Sequence, residues 1–186
     1  IIGAAGLSGL ELIRLLTHHG DVRLTAVTSG KYKGRRVGEA FPEHARVELT
    51  FSDHDAGLNG CEVAFLAIPN QASLEIAPRL VERGIRVIDL SGVFRLADVE
   101  VFRRFYGLAH TAPALLGEAV FGLPEAFRER IAGARLVANP GCYPTGALLG
   151  LLPLGELLGT LAAPPVIDAK SGVSGAGGRV EDDSTN

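Results

Sequence analysis

Five short apolar runs recur along this chain with amphipathic stretches between them, and that alternation narrows the possible folds more than any other feature. The runs are VRLTAVT (22–28), EVAFLAIP (62–69), IRVIDLS (85–91), ARLVAN (134–139) and PPVIDAK (164–170). Most are rich in Val, Ile and Leu without a clean two-residue alternation, which is how strands buried on both faces read. The stretches 7–18, 71–83, 97–106 and 144–158 carry apolar residues at helical spacing. Strand, helix, strand, helix predicts an α/β protein with a parallel, doubly wound sheet. Buried strands usually run about 5–6 residues. Only Ile1 and Ile2 precede the first glycine, so the first strand is expected to have lost its beginning. The last residues, EDDSTN, follow a glycine-rich loop without a closing element, and that end too is expected to be cut.

Composition excludes several classes. With 47% hydrophobic residues the chain can bury a sizeable core, and its 186 residues fit one ordinary domain, or one domain and a piece of another. A net charge of −3 and a pI near 6.0 offer no basic footprint for nucleic acid. No apolar run approaches the roughly 18 residues of a membrane helix, and no signal peptide is visible. The two cysteines, Cys61 and Cys142, do not make a disulfide framework, which points to a reducing cytoplasm. The five histidines have no metal-ligand spacing with them, so no metal is expected.

Near the start, IIGAAGLSGLELIRLL places Gly3, Gly6 and Gly9 between a strand remnant and a helix. A dinucleotide pyrophosphate needs this context: glycines for the turn and close backbone approach, then free N–H groups at a helix start. This predicts a Rossmann-type domain over 1–146; the Gly and Pro that punctuate the Leu-rich stretch within 146–164 place the start of a second α/β domain there, over 147–186. The competing reading of the glycines is a turn with no ligand. An NAD site usually offers an acid about 20 residues on, for the ribose 2′-OH. Here the second strand ends in Thr28-Ser29-Gly30-Lys31, followed by Lys33, Arg35 and Arg36. Hydroxyls and cations in place of an acid favour NADP, although Arg35 and Arg36 equally suit a solvated loop.

The motif NPGCYPT (139–145) puts Cys142 directly after a strand-like run and before a helix-like one. The thiolate is the reactive form of cysteine, and a helix N-terminus favours it. In open α/β sheets the carboxyl edge, where such a thiol would sit, is where ligands bind. Backbone N–H groups there can hold an oxyanion. This favours Cys142 as a nucleophile, while Cys61, just ahead of EVAFLAIP, reads as a small buried hydrophobe. Arg95, after the third run, suits either a substrate carboxylate or phosphate or an ion pair with Asp89 or Asp98. Asn139 either orients the thiol or nicotinamide, or caps the cysteine helix. In KSGVSGAGG, Ser171, Gly172, Ser174 and Gly175 form either an anion-binding loop or a hinge.

Taken together, GAAGLSGLEL, AVTSGKYKG, FLAIPNQAS, VIDLSGVFRL, YGLAH, VFGLPE, LVANPGCYPT and DAKSGVSGAGG resemble the N-acetyl-gamma-glutamyl-phosphate reductase family. The resemblance implies NADPH-dependent reduction of an acyl phosphate to a semialdehyde through a thioester on Cys142. It also implies a cytoplasmic homo-oligomer, a dimer or tetramer. It places Leu7, Ser8 and Pro69 beside Gly3, Gly6, Gly9, Thr28, Ser29 and Lys31 around the cofactor. Arg95, Asn139, Ser171, Gly172, Ser174 and Gly175 fall around the substrate. The chain departs from the family after the second strand, where Ser-Arg is frequent and Ser29-Gly30-Lys31 stands, at Val93, where an acid is common, and at Asn70, where a histidine is common. The family's acid–base histidine belongs to an H-R-H motif that these 186 residues do not contain. Rival readings are a carrier-linked aminoadipyl phosphate reductase, an aspartate-semialdehyde dehydrogenase, and a non-catalytic NADP-sensing module.

Overall fold

The structure is a computed structural model that describes residues 1–172 and 175. In chain order the elements are α1 (Leu7–Thr17), β1 (Val27–Thr28), α2 (Val37–Ala40), β2 (Phe51–Ser52), β3 (Val63–Leu66), α3 (Asn70–Glu82) and β4 (Arg86–Asp89). Then come α4 (Val99–Tyr106), α5 (Pro113–Leu116), β5 (Val120–Phe121), α6 (Pro124–Gly133), β6 (Leu136–Ala138) and α7 (Cys142–Leu151). Strand pairs β1–β2, β3–β4, β4–β6 and β5–β6 are all parallel. Ile2 joins the two groups through parallel bridges to Thr28 and Leu66. The resulting order is β2-β1-Ile2-β3-β4-β6-β5. Counted from Ile2, it opens 3-2-1-4-5, the order of a dinucleotide-binding sheet, with the switch between Ile2 and β3.

Two apolar layers hold helices against the sheet. On one side Ile13 of α1 joins Ala4, Val27, Val37 and Phe51. On the other, Leu74 and Leu80 of α3 and Phe102 of α4 join Leu66, Val87 and Leu136. Each such side chain, once fully buried, contributes about 1.5–3 kcal/mol. The Asp98 carboxylate caps α4 by accepting from the N–H groups of Glu100 and Val101, both at 2.8 Å. Gly107 ends α4 in the left-handed region, at φ 66°.

The expected parallel α/β sheet is therefore present, with differences in detail. The run 22–28 pairs only at Val27–Thr28. β2 and β5 are two-residue strands, too short to leave a sequence pattern, and α6 also went unforeseen. The expected last strand, 164–170, forms no strand; Val166 is 95% and Ile167 57% exposed. A strand exists only with a neighbour to pair, and none of the described residues supplies one here. The helix expected over 144–158 is α7 followed by 3₁₀ turns over Leu152–Thr160, and neither buries a residue.

Candidate active site

The three glycines meet three different physical demands. Gly3 has φ +83°, and a Cβ there would lie 2.3 Å from the Ala67 carbonyl oxygen. Only glycine turns so tightly against the loop after β3. At Gly9 a Cβ would lie 2.4 Å from the Gly3 oxygen and 2.6 Å from Ala4 Cα, so its absence lets α1 pack onto the turn. At Gly6 a Cβ would meet nothing closer than the Gly3 oxygen at 3.8 Å. Neither packing nor dihedral angle demands glycine there, and the open space is what a ligand's close approach requires. Gly6 is the N-cap of α1 without a side-chain cap, with Leu7 and Ser8 exposed beside it. Among the described residues, the N–H groups of Leu7, Ser8 and Gly9 have no acceptor. The turn thus presents free donors at the positive end of a helix.

Thr28, expected to meet the cofactor, is fully buried. Its Oγ1 accepts from Gly3 N–H at 3.2 Å and lies 2.6 Å from His54 Nδ1, while its carbonyl accepts from Ala4 N–H at 2.9 Å. It holds the glycine turn in place. Ser29 is also buried, and its Oγ accepts from Tyr32 N–H at 3.3 Å. Lys31 stays exposed over the Tyr32 ring, 5.3 Å from its centroid, and Arg35 lies 5.6 Å from the same centroid. Lys33 instead pairs with Asp53. Pro69 is exposed as the N-cap of α3, across the switch point from the glycine turn. Asn70 accepts from Gly92 N–H at 2.9 Å, tying the loops after β3 and β4 together.

Cys142 is the first residue of α7, exposed, four residues beyond the end of β6 at Ala138. Gly141 caps the helix without a side-chain bond, and its carbonyl accepts from Thr145 N–H at 3.0 Å and Thr145 Oγ at 2.9 Å. The N–H groups of Cys142 and Tyr143 have no acceptor among the described residues, and Pro144 has no N–H. Cys61, by contrast, precedes β3 at the opposite edge of the sheet and packs against the core, its sulfur 3.4 Å from Thr25 Oγ1.

Arg95 reaches the cysteine turn, but by a route the sequence did not suggest. Its Nε donates to the Asn139 carbonyl at 2.7 Å and its Nη2 to the Leu90 carbonyl at 2.8 Å. It forms no ion pair with Asp89 or Asp98. Nη1 passes close to Gly141, where a Cβ would lie 3.1 Å from it. Asn139 does not cap α7: its Nδ2 donates to the Pro140 carbonyl at 3.2 Å. Asp89 lies below, fully buried, and burial pushes its carboxyl above the usual range against hydrogen bonds from Ser91 and Ser73 and the charge of Arg95. His110 is a core residue: Nε2–H donates to Val93 at 3.0 Å, Nδ1 accepts from Ala112 N–H at 3.2 Å, and Phe94 and Phe102 flank the ring. Burial holds its pKa below the ordinary histidine value.

Ser171 and Gly172 are exposed, and no hydrogen bond among the described residues ties them to the cysteine turn. Gly175 N–H donates to the Gly172 carbonyl at 2.9 Å, and Ser174 lies outside the described residues. No cluster of His, Cys, Asp and Glu suited to a metal occurs among the described residues, and no helix there is long and apolar enough to cross a membrane. Sequence reasoning missed His54, Ser73, Ser91 and Asp89 as supports of the site: His54 and Ser73 act through partners 26 and 16 residues away, and the Ser91–Asp89 pair matters only because both are buried.

Comparison with known proteins gives the family and the fold. The family model for the semialdehyde dehydrogenase NAD-binding domain matches residues 1–134, and that for the semialdehyde dehydrogenase dimerisation domain matches 142–186. N-acetyl-gamma-glutamyl-phosphate reductase of Laribacter hongkongensis is 49% identical over 183 residues, covering 97% of this chain and 54% of that protein. The same-named protein of Halorhodospira halophila is 52% identical over 180 residues, covering 95% and 52%. The chain thus spans about half the length of the curated relatives it matches. Among solved structures, aspartate semialdehyde dehydrogenase with NADP from Candida albicans superposes with a TM-score of 0.57 at 18% identity, over 87% of this chain and 46% of that one. An aspartate semialdehyde dehydrogenase II from Vibrio cholerae gives 0.56 at 21%, over 83% and 45%. At those identities the two structures show a shared fold. With one family model spanning 134 of the 186 residues, the chain belongs to the semialdehyde dehydrogenase family.

Proposed function

We propose that the complete protein is an NADPH-dependent reductase of N-acetyl-gamma-glutamyl phosphate, forming the semialdehyde and inorganic phosphate. The observation that carries this reading is Cys142, exposed at the first position of α7 on the same sheet edge as the open glycine turn. The relatives' name supplies the substrate. Gly3, Gly6, Leu7, Ser8 and Gly9 would hold the pyrophosphate, with Thr28 bracing the turn from behind. Lys31 would face the ribose 2′-phosphate from the turn that Ser29 shapes, and Pro69 would border the nicotinamide half. NADPH, when bound, supplies a hydride to the acyl carbon.

The chain's own chemistry begins with the Cys142 thiolate attacking the acyl phosphate carbon. A sulfur–carbon bond forms, the carbon–oxygen bond to phosphate breaks, and phosphate leaves with the bonding pair. The N–H groups of Cys142 and Tyr143 face the developing oxyanion. The free Nη1 of Arg95, with Asn139 and the loop Ser171, Gly172, Ser174 and Gly175, would receive the substrate's anionic groups. His110 takes no part in proton transfer, because both ring nitrogens are committed within the core. The protein would act in the cytoplasm as a homo-oligomer, with the second unit beginning within α7 at about residue 147.

The test is to mix the complete protein with NADPH and N-acetylglutamyl phosphate and follow cofactor oxidation. Cys142→Ser is expected to abolish turnover while leaving NADPH affinity within about twofold, and Cys61→Ser to be nearly silent. NADPH binding without turnover in the parent would make it a sensor; substantial activity in Cys142→Ser would remove the covalent step.

A further inference from the structure

Asp89 is the one carboxylate fully buried among the described residues, and no cation lies within ion-pairing distance of it there. A buried charge is retained only where it is compensated. Three donors converge on it: Ser73 Oγ of α3 at 2.8 Å, Ser91 Oγ at 2.6 Å and Ser91 N–H at 3.1 Å. The last bond closes the chain over Leu90, whose carbonyl then accepts from Arg95 Nη2 at 2.8 Å. The same guanidinium grips the Asn139 carbonyl through Nε at 2.7 Å, and Asn139 N–H donates back to the Asp89 carbonyl at 2.9 Å. Asp89, Leu90, Arg95 and Asn139 therefore form a closed circuit across the carboxyl ends of β4 and β6. Its outer side is Gly141, bare of a Cβ where Arg95 Nη1 passes, and the next residue is Cys142.

We infer that Asp89 is a positioning residue for the thiol: the turn its carboxylate closes presents the Leu90 carbonyl to Arg95, holds that guanidinium against residues 139–141, and so sets where α7 begins and where Cys142 stands. Ser73 and Ser91 serve the same end by satisfying the carboxylate. The inference rests on the functional reading for the role of the thiol, but not for the circuit.

The test is a double-mutant cycle in the complete protein, in a Cys61→Ser background, with Asp89→Asn and Arg95→Ala. Asparagine keeps the shape but removes the charge and turns a donor toward the serine hydroxyls. Asp89→Asn is expected to lower kcat/KM for the acyl phosphate at least about tenfold and to leave NADPH affinity within about twofold. In the Arg95→Ala background it is expected to cost less than about twofold more, since its effect runs through that guanidinium. Additive losses overturn the inference, and so does a parallel loss of NADPH affinity, which marks general structural damage. Should Asp89→Asn not fold, Ser73→Ala and Ser91→Ala carry the same cycle. A parent without turnover would defeat the functional reading alone. The cycle is then read on the rate at which iodoacetamide alkylates Cys142: non-additive change supports the circuit, and no change overturns it.

Discussion

Gly3, Gly6 and Gly9 look equivalent in sequence and are not equivalent in space. Gly9→Ala drives a methyl into the backbone of Gly3 and Ala4. Overpacking of this kind costs about 1–3 kcal/mol, and at this chain length each kcal/mol lowers Tm by roughly 2–4 °C. Gly6→Ala meets no protein atom closer than 3.8 Å. It is expected to leave Tm unchanged within about 1 °C while weakening NADPH binding at least about tenfold, because the methyl occupies the cofactor's approach. Thermal melting with fluorescence titration of the two variants checks both halves. Equal, small effects of Gly6→Ala on Tm and affinity would mean that no phosphate comes to this turn. Val93 lies between the buried Ser91 and Phe94 and is itself fully buried in the main apolar cluster.

At the scale of elements, the proposed choice of NADPH over NADH turns on the loop after β1. Ser29 is spent on shaping the turn toward Tyr32, and Lys33 is paired with Asp53, which leaves Lys31 as the exposed cation nearest the strand end. Lys31→Glu is expected to weaken NADPH binding about 5- to 30-fold, the factor that one or two kcal/mol of lost attraction represents, and to leave NADH binding nearly unchanged. The difference should shrink at high salt, since the contact is solvent-exposed and screened. Equal weakening for both cofactors would place Lys31 outside the 2′-phosphate site. The helices show a similar division of labour. α1 and α3 bury one face in the core and present their starts to the sheet edge, whereas α7 buries nothing among the described residues and carries the thiol at its first turn.

Across the whole molecule, the sheet edge collects the proposed site residues, and the stretch from the second half of α7 onward collects exposed apolar surface. Leu148, Leu149, Leu152, Leu154, Leu157 and Leu161 are each between 36% and 62% exposed. Contiguous apolar surface of this kind marks an interaction face or an aggregation hazard. Expressed as residues 1–186, the polypeptide is expected to bind a hydrophobic dye and to self-associate. Replacing Leu152, Leu154 and Leu157 by Gln should reduce both without lowering Tm, because none of the three packs into either core layer. Dye fluorescence and light scattering would show it; a monomer that binds no dye would mean the leucines are covered in solution.

The alternation of apolar runs and amphipathic stretches by itself determined the α/β class and the parallel sheet, because backbone periodicity is a local property. The spacing of Gly3, Gly6 and Gly9 and the setting of Cys142 between a strand and a helix were equally legible, since each depends on neighbours within a few residues. The two-residue strands β2 and β5 left no period to read. The tertiary structure alone decided that Thr28 braces the glycine turn from the core, that His110 is held by Val93 and Ala112, and that 164–170 finds no strand to pair with among the described residues. It alone closed the circuit from Asp89 through Arg95 to Asn139. Burial and hydrogen-bond partnership are set by residues far apart in the chain, and whether a polar side chain braces the fold or faces a ligand depends on which of those partners reaches it first.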